Sequence, residues 1–286
     1  MDHAIQQARA RTLREFHDGP SPLVLPNAWD VAGAKIFEQA GFVAIGTTSA
    51  GIAATLGYPD GECIPRDEML AMVARIARAV AVPVTADVEA GYGATPVEAA
   101  ETARAAIAAG AVGVNLEDAT GDPNRPLADT EVQAAKIHAM REAAAAADVP
   151  LVINARTDVY WLEVGAASER FAAAVERLRA YRAAGADCLF VPGVSDEETI
   201  GRLVGALDGP LNVLAGAGMP AIAVLGRLGV KRVSVGSAPM RATLGLVRRI
   251  ADELSREGTS ISMLSGAIPY AEVNRLLAGL TEEESS

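Results

Sequence analysis

The sequence predicts a (β/α)8 barrel, and three observations carry that prediction. Eight short apolar runs alternate with alanine-rich amphipathic stretches between Leu23 and Val235. The runs are almost continuously apolar rather than strictly alternating, as expected of parallel strands covered by helices on both faces. Most joints between a helix and the next run fall on Gly, which caps a helix, or on Pro, which tolerates the first position of a strand. At 286 residues the chain has room for one barrel of about 250 residues plus extensions.

Taken in order, a helical lead-in precedes the first run, Leu23-Val24-Leu25. The second, Val43-Ala44-Ile45, follows the joint Ala40-Gly41. Met69, Met72, Val73, Ile76 and Val80 recur at helical spacing before the third, Val84-Thr85-Ala86, which Pro83 opens. Thr95-Pro96-Val97-Glu98 reads as a capping box with Pro at the first helical position. That helix ends at Ala109-Gly110 and feeds the fourth run, Val112-Gly113-Val114. The fifth, Leu151-Val152-Ile153, follows Pro150, and the sixth, Cys188-Leu189-Phe190, follows Ala184-Gly185. Ser195 with Glu198 repeats the capping logic, and Ile200, Leu203, Val204 and Leu207 form one helical face before the seventh run, Asn212-Val213-Leu214. Leu228-Gly229 leads to the eighth, Val233-Ser234-Val235. No Gly/Ser linker divides the chain, so residues 1–258 read as one barrel domain and 259–286 as a helical appendage. Within it, Tyr270 to Leu280 resembles a short helix, and the acidic Glu282 to Ser286 is expected to fray.

Composition narrows the function. Lys plus Arg total 25 against 36 Asp plus Glu, a net charge of −11, with 50% hydrophobic and 21% charged residues. An acidic chain without a basic stripe is a poor partner for nucleic acid or anionic membranes, so small molecules are the expected ligands. The segment Leu211–Leu225 is interrupted by Asn212, Gly216, Gly218 and Pro220 and is too short to span a bilayer. The N-terminus lacks the pattern of a secretory signal, and two cysteines build no disulfide framework, so the cytoplasm is the expected location.

Barrel enzymes place their chemistry at the C-terminal ends of the strands. Here those ends carry acids: Asp87-Val88-Glu89 after the third run, Asn115-Leu116-Glu117-Asp118 after the fourth, and Asn154-Ala155-Arg156-Thr157-Asp158 after the fifth. The second run leads through Thr47-Thr48-Ser49-Ala50-Gly51 to Tyr58-Pro59-Asp60-Gly61. Carboxylates converging on one mouth repel unless a cation sits among them, and oxygen donors without imidazole favour Mg²⁺ or Mn²⁺ over zinc. Each acid alone is equally well read as a cap or strand terminator. Arg156 can grip a substrate carboxylate with its planar fork, or serve a salt bridge to Asp158 or Glu117. Gly91-Tyr92-Gly93 either presents the phenol or simply turns the chain. Gly216-Ala217-Gly218 and Gly236-Ser237 lie where barrels often bind phosphate. Lys35 and Lys136 fall in helices and Lys231 at the start of the eighth strand, which disfavours imine chemistry. Cys188 reads as core; Cys63 is a conceivable acid or nucleophile.

These motifs resemble the isocitrate lyase and phosphoenolpyruvate mutase superfamily, from Leu25-Pro26-Asn27-Ala28-Trp29-Asp30 to Arg232-Val233-Ser234-Val235-Gly236. The resemblance implies a barrel that exchanges its eighth helix between subunits of a homodimer or homotetramer, binding Mg²⁺ and a 2-oxo acid or enolate. Carried over by motif, Asp87 would ligate the metal directly, with Asp60, Glu89 and Glu117 on its waters. Trp29, Thr47, Thr48, Ser49, Gly51, Asp60, Arg156 and Asn212 would line the substrate, and Tyr92, Arg156 and Glu117 would be the candidates for the chemical step. The chain departs from the family after the fourth strand. Lyases carry a Cys-Gly-His gate there, whereas this sequence reads Ala119-Thr120-Gly121-Asp122-Pro123-Asn124-Arg125. A metal-dependent C–C lyase or decarboxylase acting on a small 2-hydroxy or 2-oxo (di)acid survives that loss best. A P–C bond enzyme of the mutase or phosphonopyruvate hydrolase kind, using Asn124 and Arg125, and a non-catalytic 2-oxo acid binding protein are the alternatives.

Overall fold

The computed structural model describes residues 2–278. Helix α1 (His3–Phe16) starts on the Asp2 carboxylate, which accepts from the Ala4 and Ile5 amides. The barrel then runs β1 (Leu23–Leu25), β2 (Asn27–Ala28), α2 (Val31–Gln39), β3 (Ile45–Thr47), α3 (Ser49–Leu56), α4 (Arg66–Ala79) and β4 (Val84–Asp87). It continues with α5 (Pro96–Ala108), β5 (Gly113–Glu117), α6 (Thr130–Ala146), β6 (Val152–Arg156), α7 (Arg170–Ala183) and β7 (Cys188–Val191). It closes with α8 (Glu197–Ala206), β8 (Leu211–Leu214), α9 (Ile222–Leu228) and β9 (Arg232–Ser234), followed by α10 (Ala238–Arg256), α11 (Ile261–Leu264) and α12 (Tyr270–Leu277).

All strand pairs are parallel, in the order β1-β9-β8-β7-β6-β5-β4-β3-β2. β1 pairs with β9 and β2 with β3. Pro26 alone separates β1 from β2, and its carbonyl still accepts from the Gly46 amide at 2.9 Å. The two segments are therefore one strand with its ladder interrupted, and the sheet closes as the eight-stranded barrel that the sequence predicts. Gly41, Gly110, Gly185 and Gly229 take φ of +89 to +108° at the four expected joints, a region L side chains avoid. The Thr95–Glu98 capping box forms as read. At α8 the cap is Asp196, whose carboxylate accepts from the Thr199 amide at 2.7 Å, and not Ser195. The ionised carboxylate is the stronger acceptor, so the helix starts one residue later. Strand edges also shift slightly: Val43 is exposed, and the last strand ends at Ser234.

Helix α1 covers the N-terminal end of the barrel. Gln6 donates to the Ile107 and Ala111 carbonyls at 2.7 and 3.1 Å, Leu13 is fully buried, and Arg14 and Arg141 both pair with Asp187 below β7. Outward-facing Ile45, Ala86, Val114, Leu116, Ile153, Leu189, Val213 and Val233 are buried, and this is where the apolar character of the runs is used. Beyond β9, α10 leaves the barrel with only Met240 buried, and Leu244, Leu246, Val247 and Leu254 are exposed. α12 returns to pack on α2, with Leu276 buried. Residues Glu282 to Ser286 and the last positions of the helix expected to reach Leu280 lie outside the described residues. Among the described residues no helix is long and apolar enough to cross a membrane.

Candidate active site

The register of the parallel sheet aligns polar side chains around the barrel axis. Asp87 stands opposite Asn115, and Asn115 opposite Asn154. Asn154 donates through Nδ2 to Asn115 Oδ1 at 2.8 Å, and Asn115 through Nδ2 to Asp87 Oδ1 at 2.9 Å. The other Asp87 oxygen accepts from the Ser49 amide at 2.9 Å. Ser49 opens α3, so the carboxylate lies at the positive end of a helix dipole. Donors on both oxygens hold Asp87 in one orientation.

The remaining acids surround it. The Ser49 hydroxyl reaches Asp60 Oδ1 at 3.5 Å. Glu89 is buried and accepts from the Glu62 amide, while Glu62 Oε1 accepts from the Tyr92 amide at 2.7 Å and the Tyr92 phenol donates to Glu89 Oε1 at 3.4 Å. Glu62, Glu89 and Tyr92 all take positive φ, of +56, +49 and +55°. Three non-glycine residues in the left-handed region beside one cluster of acids are a strain that this interlock sustains. Burial and the Asp87 charge push the Asp60 carboxyl up, and the same causes push Glu89 up to about 7. Burial raises Glu117 although Arg156 opposes it. Such mutual repulsion is what a bound cation relieves. The donors are hard oxygens, which fits Mg²⁺ or Mn²⁺. Among the described residues no three His, Cys, Asp or Glu side chains are gathered closely enough to share a metal directly. Asp87 could hold one directly, with the other acids reaching it through water.

Arg156 makes both of the salt bridges read from the sequence. Its Nη1 pairs with Glu117 at 2.8 Å, its Nε with Asp158 at 2.7 Å, and its guanidinium lies 5.8 Å from the Phe190 ring centroid. It nevertheless lines the mouth cavity, of about 120 Å³, together with Thr47, Thr48, Ser49, Asp60 and Asp87. Gly236 and Ser237 border the same space. Of the other expected residues, Trp29 and Gly51 are not part of the cavity lining and pack on each other, where a Cβ on Gly51 would stand 2.7 Å from Trp29 Cβ. Asn212 donates to Ser234 Oγ at 3.1 Å beneath the cavity, and Tyr92, Glu89 and Glu117 sit beyond its lining. Asp118, read as one more acid at the mouth, is instead a buried brace under Thr157, Asp158, Arg177 and Tyr181. Cys63 is exposed, and Lys136 donates to the Ala90 and Gly93 carbonyls at 3.0 and 2.6 Å. The segment after β5 is a small hairpin bridged between Ala119 and Leu127, in which Arg125 pairs with Asp129 and Asn124 bonds Asp122. Sequence reasoning missed Thr85, Asn115, Phe190, Trp161, Leu214, Ser234 and above all Arg232, which complete the cavity. Period-two spacing within the strands was the available signal: Arg232 and Ser234 share a face, as do Phe190 and Arg156 with their inward neighbours.

The chain is similar to known proteins over most of its length. The sequence profile of the phosphoenolpyruvate phosphomutase family matches residues 13–255. The chain is 28% identical to 2-methylisocitrate lyase of Escherichia coli K12, covering 85% of this chain and 83% of the enzyme. It is 29% identical to oxaloacetate decarboxylase of Rhodopseudomonas palustris BisB5, covering 97% and 96%. Among solved structures, a lyase/mutase-type protein of Burkholderia cenocepacia J2315 superposes with a TM-score of 0.90 at 39% identity, covering 96% of this chain and 97% of that one. Phosphonopyruvate hydrolase in complex with oxalate and Mg²⁺ superposes at 0.82 with 26% identity, each chain covered to 94%. A polar-cored barrel whose anchored Asp87 faces a helix N-terminus and an arginine, matched over nearly its whole length by these lyases, decarboxylases and hydrolases, belongs to the phosphoenolpyruvate mutase/isocitrate lyase superfamily of enzymes.

Proposed function

We propose that the protein is a Mg²⁺-dependent C–C lyase or decarboxylase that acts on a small 2-hydroxy or 2-oxo carboxylic acid. The observation that carries this reading is Asp87, fixed at both oxygens beneath the N-terminus of α3 and sharing a small cavity with Arg156. Asp87 would hold the cation directly, and Asp60, Glu89 and Glu117 would hold its water ligands. When bound, Mg²⁺ supplies Lewis-acid stabilisation of the negative charge that develops on the 2-oxo oxygen as the bond to C3 breaks. The α3 N-terminus and Arg156 orient the substrate carboxylate, while Glu117 and Asp158 keep the guanidinium fork in one plane. Tyr92 and Glu89 form the pair able to hold and pass a proton. The phosphonate reading draws less support, because Asn124 and Arg125 are engaged with Asp122 and Asp129. A homodimer or homotetramer, supported by the exposed apolar residues of α10, is part of the same proposal, as is a cytoplasmic location.

The test is calorimetric titration of oxalate with and without Mg²⁺, followed by assay of pyruvate and glyoxylate release from a panel of oxaloacetate-like acids, 2-hydroxy diacids and phosphonopyruvate. Binding should require Mg²⁺ and fall at least ~100-fold in Asp87→Asn. Unchanged binding in that variant would refute the site. Metal-dependent binding with no product from any acid would favour the binding-protein alternative.

A further inference from the structure

Arg232 is the least explained charge in the barrel. Its side chain is 2% exposed, and it enters from the first residue of β9, the end of the strand away from the mouth. Its Nε lies 3.3 Å from Ser234 Oγ, two residues further along the strand, so the side chain climbs the barrel axis and its guanidinium borders the cavity that Asp87, Ser49 and Arg156 also line. Nη1 is buried and has no hydrogen-bond partner, and Arg232 forms no ion pair among the described residues. Arg156 is different, being neutralised by both Glu117 and Asp158. A desolvated arginine without an ion pair is costly; the side chains bonded around it, Asn212 and Ser234, are neutral, and the Asp87 charge acts on it only across the cavity.

The cavity thus holds two unlike arginines. Asp87, Asp60 and the α3 N-terminus line it together with Arg156, which is paired, and with Arg232, which has no ion pair; Phe190 and Leu214 complete the lining. A ligand with a second anionic group beyond the one held near Asp87 and Arg156 would give Arg232 the ion pair it lacks. We infer that Arg232 binds the distal carboxylate of the substrate, so that this cavity selects 2-oxo or 2-hydroxy dicarboxylates over monocarboxylates of equal length. The inference deepens the proposed function and rests on it for the position of the 2-oxo end.

The experiment is titration of the full-length protein with three probes in Mg²⁺. These are 3,3-difluorooxaloacetate as a four-carbon 2-oxo diacid, 2-oxobutyrate as its monoacid counterpart, and oxalate, which engages the metal end only. The wild type should bind the diacid roughly 10- to 100-fold more tightly than the monoacid, the range expected for a charge-assisted hydrogen bond in a desolvated pocket. Arg232→Met should remove most of that preference while leaving 2-oxobutyrate and oxalate within about threefold, and Arg232→Lys should restore part of it. Equal weakening of all three probes would assign Arg232 a purely structural role and overturn the inference, as would no weakening of any. Should the variants not fold, the wild-type preference decides: its absence overturns the proposal. Failure of oxalate to bind in Mg²⁺ would instead sink the metal reading, and the diacid preference, measured without metal, would still test Arg232.

Discussion

Asp118 has no solvent exposure and accepts from Thr157 Oγ1, the Asp158 amide, Arg177 Nη1 and the Tyr181 phenol. Replacing it with Asn leaves Arg177 without its counter-ion, and urea denaturation should show a loss of about 3 kcal/mol. His17 makes a second test at this scale. Burial and the Arg232 charge lower its pKa from 6.5 to about 4, and the imidazole pairs with the Leu13 carbonyl at 2.8 Å. The unfolded chain takes up the proton first, so the stability conferred by a neutral His17 is complete above pH 6.5 and is lost as pH falls toward 4. In His17→Gln, about 2 kcal/mol of the wild-type loss between pH 7 and pH 4.5 should be absent from denaturation curves. Residues such as Asp87 and Arg156 were legible because they follow apolar runs at the catalytic end of a barrel. Arg232 was not, because a strand's first residue is read as lying at the wrong end, and only the length and direction of its side chain bring it to the cavity.

Among the elements, the join between first and last strands depends on Asn27. Its Nδ2 donates to the Thr47 carbonyl at 2.8 Å, and its Oδ1 accepts from the Val235 and Gly236 amides, both at 2.9 Å. One side chain therefore links the β3 edge to the turn after β9 where Pro26 interrupts the backbone ladder. Gly46 is matched to it, since a Cβ there would fall 2.7 Å from Asn27 Nδ2. Asn27→Ala strands buried donors and an acceptor, and equilibrium unfolding should register about 2–3 kcal/mol of destabilisation. Helix caps and Gly joints were readable because their chemistry is local. The splitting of the first strand was not, because a three-residue run followed by Pro says nothing about which neighbours it will pair with.

For the whole molecule, eight βα repeats were enough to identify the barrel, since short parallel connections leave few other topologies. The path of the chain after β9 was harder to read from residues alone: amphipathy marks α10 as having an apolar face but does not say what covers it. Leu244, Val247 and Leu254 recur at helical spacing and are 53%, 59% and 49% exposed. Light scattering on the eluting protein should give the mass of a dimer or tetramer, and the double variant Leu244→Glu/Val247→Glu should shift it to a smaller species. A monomeric wild type would exclude the exchanged helix.

The α1 cover has a kinetic consequence. With Gln6 and Leu13 packed across it, the N-terminal end of the barrel is covered among the described residues, which leaves the strand C-terminal end as the way out. A reaction that splits one molecule in two must then discharge both fragments through the same opening, the outer before the inner. Under the proposed reaction, the fragment left deeper in the barrel would occupy the place of the next substrate until it leaves and would inhibit competitively, whereas the fragment that leaves first would not.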